Sequence, residues 1–258
     1  MILYIIGNGF DIAHDIKCRY SDFHNYLIKN NIDFTLSTLL DTFPLDLEWS
    51  NFEDALSSPN ELIERQIDSL DYGVYVKETI QDGFNKWVKT LDLQPINTFA
   101  SLKPNSIFLS FNYTSVLEIG YNINEKRVCH IHRLAADSYF FNNVDMAFGH
   151  GKKCSPDKEN TLVGCLYKDT SAYFEASKHF FDDWMYKIEK VVIIGFSYST
   201  IDLYYFKKIK EMTHNPKWYC GFHTEKDKKS AEKYMSLLGI KNYDLSKSNA
   251  DLMDGKFI

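Results

Sequence analysis

Two residues combine a reactive or polar side chain with a position at the end of an apolar run. Asn112 follows the mostly apolar stretch 106–111, and His132 ends the short run 128–132. A carboxamide can hold a water or a ribose hydroxyl, and an imidazole titrates near neutral pH and can accept a proton. These residue types are therefore candidates for a general base and a positioning group. For Asn112 taken alone, a helix N-cap is the favoured interpretation.

The start of the chain carries a glycine turn. An apolar run at residues 2–6 stops at Gly7-Asn8-Gly9-Phe10-Asp11 and continues as Ile12-Ala13-His14. A buried strand that ends in a glycine pair and enters a helix is typical of nucleotide-binding α/β domains, because the backbone can approach a phosphate there. We therefore expect Gly7, Asn8, Gly9, Phe10 and Asp11 to bind a nucleotide. The alternative is a glycine turn without a ligand, capped by Asp11.

A second turn with hydroxyl groups follows the most apolar run of the chain, residues 191–196. It reads Gly195-Phe196-Ser197-Tyr198-Ser199, and Asp202 opens the helix that follows. We expect Ser197 and Asp202 to contact a ribose or a phosphate. The alternative is a serine-capped helix whose dipole Asp202 stabilises.

A metal site is a further alternative. It would draw on Cys129, His130, His132, His150 and Cys154, but their spacing matches no standard zinc finger and the chain has no His-Glu-x-x-His. The five cysteines form no Cys-x-x-Cys pair, which indicates free thiols in a reducing compartment. We expect no metal, and we keep a metal-dependent nuclease or phosphoesterase using His130, His132 and His150 as the alternative function.

The elements that would position these residues alternate between strand and helix. Apolar runs predict strands at 2–6, 106–111, 128–132, 146–151, 191–196 and 218–222, with an edge strand at 242–245. This alternation predicts an α/β, Rossmann-like fold, with a mostly parallel sheet and helices on both faces. Five loops should then meet at the carboxyl edge of the sheet: 7–11, 112–114, 130–133, 149–151 and 195–202.

Residues 33–99 interrupt this alternation. Their apolar positions recur at three- and four-residue steps, which predicts an all-helical insertion after the first strand. The Rossmann-like nucleotide-binding core would then comprise residues 1–32 and 100–258. We expect the insertion to serve as a lid, a partner surface or a sensor of a trigger.

Composition narrows the class of protein. The 258 residues are 45% hydrophobic and 25% charged, which is ordinary for a globular protein. A net charge of -6 gives no global basic field, so we do not expect a nucleic-acid partner. No apolar run reaches the roughly 20 residues of a membrane span, and the N-terminus lacks the basic region of a signal peptide. We therefore expect a cytoplasmic protein without a membrane partner.

Several short stretches together resemble the AbiH family of bacterial phage abortive-infection proteins. They cover most of the chain in the family's order and form a specific combination: residues 5–14, 20–23, 49–56, 111–118, 130–132, 148–151 and 194–202. Two positions depart from the family pattern. Arg133 stands where the family usually has glycine after His-Ile-His, and Phe196 stands where histidine is frequent.

The AbiH family is in turn distantly similar to sirtuin-like NAD-binding domains. The positions that match a sirtuin-like site are Gly7 to Gly9, Asn112, His132 and Gly195 to Ser197. The sirtuin zinc ribbon is missing, which argues against protein deacetylation. Sirtuin-like defence proteins without the ribbon typically hydrolyse NAD, and this likeness implies Asn112 and His132 as the catalytic residues.

The expected function is that of an antiphage abortive-infection effector that binds and hydrolyses NAD or a related nucleotide. NAD would be its substrate or ligand. We expect a homo-oligomer, with a phage component or a toxin-system protein as partner. A nucleotide sensor without catalysis is the remaining alternative.

Overall fold

A single parallel sheet organises the part of the chain that the computed structural model describes, which is residues 1–30, 70–91, 93, 96–134, 147, 149–151, 153 and 162–257. Its strands are β1 Ile2–Ile6, β2 Ile107–Ser110, β3 Val128–His130, β4 Lys190–Ile194, β5 Lys217–Cys220 and β6 Tyr243–Asp244. They lie in the order β3-β2-β1-β4-β5-β6, and every neighbouring pair is parallel. The α/β class predicted from the sequence is confirmed.

The chain divides into two compact units. The helices are α1 Asn8–Ala13, α2 Tyr20–Lys29, α3 Leu70–Lys89, α4 Val116–Tyr121, α5 Leu162–Cys165, α6 Thr170–Ala176, α7 Lys178–Trp184, α8 Leu203–Met212, α9 Glu225–Leu238 and α10 Asn249–Met253. The sheet unit comprises Met1–Ile16, Asp92–Leu134 and Thr170–Ile258, and the helical unit comprises Lys17–Leu91 and Ala135–Asp169.

The sheet is covered on both faces because its central strands are apolar on both sides. Four residues of β1 and all four of β2 are buried. Leu3 and Ile5 join a core cluster that includes residues of α6 to α9. On the opposite face Tyr4 stacks on Phe108, with ring centroids 5.1 Å apart. This packing fixes the strand ends that carry the candidate site.

The helical unit differs in extent from the predicted insertion at 33–99. It begins at Lys17 and takes in a second segment, 135–169, because α3 packs against α5. Sequence periodicity cannot detect such a contact between distant segments. Residues 31–69, with most of the predicted insertion, lie outside the described residues. Residues 146 and 148 of the predicted strand 146–151 also lie outside the described residues. Within its described part, His150 forms an isolated parallel bridge with Tyr167.

None of the described helices is both long enough and apolar enough to cross a bilayer.

Candidate functional site

The ends of four neighbouring strands form one row at the carboxyl edge of the sheet. Ile6 pairs with Ser110 on one side and with Ile194 on the other, and Ser110 pairs with His130. The loops after β1, β2, β3 and β4 therefore start side by side, where parallel α/β sheets bind their ligands. They are four of the five loops expected to meet; the fifth, 149–151, belongs to the helical unit.

The glycines after β1 pack against the glycine after β4. The N–H of Gly7 donates to the carbonyl oxygen of Ile194 at 2.9 Å, and the N–H of Gly9 donates to that of Gly195 at 2.8 Å. A Cβ on Gly9 would lie 2.8 Å from the Cα of Gly195, which is too close. Glycine is therefore required for the approach of two loops. Both N–H groups, which we expected at a pyrophosphate, already have protein acceptors in this arrangement.

The other side chains of the turn differ in exposure. Asn8 is exposed, whereas Phe10 is fully buried. The Phe10 ring packs against His14 and Tyr121, with centroids 4.5 and 5.8 Å away. Phe10 thus supports the turn from the core, and Asn8 is the residue of this turn whose side chain can reach a ligand in solvent.

Asp11 lies at the centre of a buried network that joins the first two loops. Its Oδ1 accepts a hydrogen bond from Asn112 Nδ2 at 2.7 Å, and its Oδ2 accepts one from the hydroxyl of Thr114. Asp11 is 1% exposed and Asn112 is 4% exposed. Asp11 therefore contacts protein groups with both oxygens and holds the carboxamide of Asn112 in one orientation.

The orientation of Asn112 leaves one polar atom unsatisfied. With Nδ2 on Asp11, the Oδ1 of Asn112 is a buried acceptor that has no hydrogen-bond partner among the described residues. The helix after β2 begins at Val116 with Ser115 as its N-cap, so the N-cap alternative for Asn112 is wrong. Buried acceptors usually have a partner, and an exception needs an explanation such as a bound ligand.

Burial raises the pKa of the Asp11 carboxyl to about 7. Removal from water disfavours the charged form and is the largest cause, while the hydrogen bonds from Thr114 and Asn112 act in the opposite direction. Asp11 thus changes charge near neutral pH, within hydrogen-bonding distance of the residue expected to orient water.

A second pair of side chains, His130 and Glu118, lies beside this network, and Glu118 had not been predicted as a site residue. The Nε2 of His130 lies 2.8 Å from Glu118 Oε1, and its Nδ1 lies 3.2 Å from the backbone oxygen of Asn112. Glu118 occupies the first turn of α4. A carboxylate in the first turn of the helix that follows Asn112 is the sequence signal that could have revealed it.

His132 pairs with a different carboxylate. Its Nε2 lies 3.3 Å from Asp202 Oδ1, and both side chains are buried. The imidazole also packs edge-on against Phe111, with centroids 5.1 Å apart, and lies 6.0 Å from the ring of Tyr113. His132 and Asn112 therefore belong to the same end of the sheet, since Phe111 and Tyr113 flank Asn112 in sequence. A carboxylate beside an imidazole can fix the orientation of the ring.

The backbone after His132 keeps a conformation typical of glycine. Arg133, where the resemblance to the AbiH family leads us to expect glycine, has φ of 68°. This left-handed conformation costs a residue with a side chain about 1–2 kcal/mol. Arg133 therefore occupies a backbone conformation in which glycine would be less strained.

The loop after β4 presents one exposed hydroxyl. Ser197 is exposed, while Tyr198 is buried and donates its hydroxyl to the carbonyl of Gly221 at 2.8 Å. Ser199 caps the turn Thr200–Asp202, so the capping role belongs to Ser199. Asn249 Oδ1 accepts from the N–H of Gly195 at 2.9 Å and fixes the start of the loop. Sequence reasoning had missed Asn249, which lies more than fifty residues away along the chain.

The residues proposed for the metal alternative do not assemble in the described part of the chain. There, no group of three His, Cys, Asp or Glu side chains is arranged to hold a metal ion. The strand β3 ends at His130, so the alternation that would put His130 and His132 on one face does not extend to His132. The two imidazoles pair with different carboxylates. Cys154 lies outside the described residues.

Comparison with known proteins identifies one family. The family described as "Bacteriophage abortive infection AbiH" matches residues 3–75 and 60–222, which is most of the chain. No curated protein and no solved structure matches the sequence significantly.

Proposed function

The chain belongs to the AbiH family of bacteriophage abortive infection proteins, and on this premise we propose that its site binds and hydrolyses NAD or a related nucleotide. NAD is then the substrate through which the protein acts as an antiphage effector. We also propose the distant relation to sirtuin-like domains, which the order of Asn112 and His132 along the chain supports.

The sheet topology supports nucleotide binding. The strand order 3-2-1-4-5-6 is the one found in dinucleotide-binding α/β folds, which bind their ligand where the order reverses. In this chain that point lies between β1 and β4. The turns that start at Gly7 and Gly195 flank it, and Asn8 and Ser197 are exposed in these turns, where a pyrophosphate or a ribose would lie.

The unsatisfied oxygen of Asn112 is the observation that carries the proposal. Asn112 Oδ1 is inaccessible to solvent and has no hydrogen-bond partner among the described residues. An acceptor of this kind is suited to a ribose hydroxyl or to an attacking water, both of which can donate a hydrogen bond. Asp11 keeps it in place by engaging the amide nitrogen.

The proposed reaction needs orientation more than strong acid–base chemistry. The bond between nicotinamide and the ribose C1′ breaks, and nicotinamide leaves with the electron pair. A water oxygen bonds to C1′, and His132 takes a proton from that water while Asp202 stabilises the imidazolium. The transition state resembles an oxocarbenium ion, so positioning of ribose and water contributes most to the rate.

An NAD-consumption assay tests this proposal. Purified protein and cells infected with phage are assayed for loss of NAD and release of nicotinamide, using wild type, Asn112→Ala and His132→Ala. Asn97→Ala and His179→Ala serve as matched controls, because both residues are exposed. We expect loss of NAD with wild type and both controls, and a rate reduced roughly 100-fold or more in the two site variants.

The outcomes separate the candidate functions. Nucleotide binding without turnover in either setting would indicate the sensor alternative. Absence of both binding and NAD loss, at high protein concentration and in infected cells, would contradict the proposal. We propose in addition that the protein assembles as a homo-oligomer and responds to a phage component, which sedimentation with and without infected-cell lysate can test.

A further inference from the structure

The pair formed by Glu118 and His130 has no part in the reaction proposed above. Both ring nitrogens of His130 face acceptors: Nε2 lies 2.8 Å from Glu118 Oε1, and Nδ1 lies 3.2 Å from the backbone oxygen of Asn112. His130 therefore bridges Glu118 and the loop of Asn112.

Two acceptors in this group have no donor. They are Asn112 Oδ1 and Glu118 Oε2, each inaccessible to solvent and without a hydrogen-bond partner among the described residues. The Asn112 residue is buried, and its Nδ2 donates to Asp11. We call Asp11, Asn112, Glu118 and His130 the acceptor cluster.

The chemistry of the acceptor cluster selects a neutral donor. Two oxygens that can only accept hydrogen bonds cannot receive a phosphate or a carboxylate, which also present acceptors. The negative charges of Glu118 and of ionised Asp11 would repel such groups as well. Two adjacent hydroxyl groups supply two donors without a charge, and a ribose carries such a pair.

We propose that Glu118 and Asn112 form a subsite for the adjacent 2′- and 3′-hydroxyls of the ribose that carries the bond to nicotinamide. His130 holds Glu118 in this subsite, and Asp11 holds Asn112. This inference rests on the proposed function, because it names the part of the nucleotide that the acceptor cluster binds. Glu118 is then a specificity-determining residue for a ribose with free hydroxyls.

Binding of a carbocyclic NAD analogue that cannot be hydrolysed tests the subsite. The analogue is compared, by calorimetry, with the same molecule lacking the 2′-hydroxyl on its nicotinamide-bearing ring. The proteins are wild type, Glu118→Ala, Glu118→Gln and, as a control, Glu125→Gln at an exposed position. We expect loss of the hydroxyl to weaken binding to wild type and to the control by about 10- to 100-fold, as for a hydrogen bond to a charged group.

The test compares how much the missing 2′-hydroxyl weakens binding in wild type and in the Glu118 variants. Glu118→Ala should weaken binding of the parent analogue by a similar factor, and it should bind both analogues equally. Equal binding of both analogues by wild type overturns the subsite, whether or not the variants fold. A Glu118 variant that still distinguishes the analogues as wild type does also overturns it. If wild type binds neither analogue, the proposed function falls together with the subsite.

Discussion

Replacement of Asp11 by asparagine should remove a pH dependence from the stability of the protein. Burial raises the pKa of this carboxyl from 3.8 to about 7. Between these values the folded protein keeps a proton that the unfolded chain has released. The stabilisation by protonated Asp11 is therefore complete below the unfolded pKa and is lost as the pH rises through the folded pKa.

The size of this pH dependence follows from the shift in the pKa of Asp11. The free energy of unfolding should fall by about 1.4 kcal/mol per pH unit within this window because of Asp11. From about pH 5 to about pH 7 the total loss is about 2 kcal/mol, because the group is half titrated at the upper limit. In Asp11→Asn this loss disappears. The new carboxamide can still accept from Asn112 and can donate to the hydroxyl of Thr114, so the geometry of the network is retained.

Urea denaturation followed by tryptophan fluorescence at several pH values measures the effect as a difference between wild type and variant. The lowered pKa of His14 gives the opposite slope, but it is common to both proteins and cancels. Asp183→Asn, at an exposed position, is the matched control and should leave the slope unchanged. Equal slopes for wild type and Asp11→Asn would show that burial does not raise the pKa of Asp11.

Two further predictions concern the backbone of the site. Gly9→Ala should destabilise the protein by roughly 1–3 kcal/mol in urea denaturation, although alanine favours helices, because its Cβ would lie 2.8 Å from the Cα of Gly195. Gly239→Ala is the control for this steric effect, because its Cβ would lie at an ordinary contact distance of 3.5 Å from Lys210 Nζ; it should cost about 1 kcal/mol from its φ of +61°. Equal losses of stability in Gly9→Ala and Gly239→Ala would contradict close packing at Gly9. Arg133→Gly should raise the free energy of unfolding by about 1 kcal/mol, since φ is 68° there; a fall in stability would argue against strain at this turn.

The sequence predicted the sheet well because its central strands are apolar on both faces. The first strand was placed at residues 2–6 and is observed as Ile2–Ile6. The third was placed at 128–132 and ends at His130. That strand lies at the edge of the sheet, where fewer pairing partners fix its length. Strand alternation therefore cannot give the side-chain direction of His132, which lies two residues beyond the end of the strand.

The polar partners within the site could not be predicted in the same way. Asp11 contacts Asn112 from 101 positions away, and Asn249 contacts Gly195 from 54 positions away. Local patterns do not encode such contacts, which arise when parallel strands bring their ends together. The glycine turn illustrates a second limit. The pattern indicated phosphate binding, but the glycines after β1 also permit contact with Gly195, and the sequence alone cannot distinguish the two uses.

The proposed function requires the carboxyl edge of the sheet to hold NAD with its nicotinamide-bearing ribose at Asn112. A crystal structure of His132→Ala soaked with NAD tests it most directly, since loss of the base should leave the ligand intact. We expect a ribose hydroxyl, or a water placed to attack the ribose C1′, within hydrogen-bonding distance of Asn112 Oδ1. The pyrophosphate should lie beside Asn8 and Ser197. NAD bound away from these residues, or a site left empty at saturating NAD, would contradict the account.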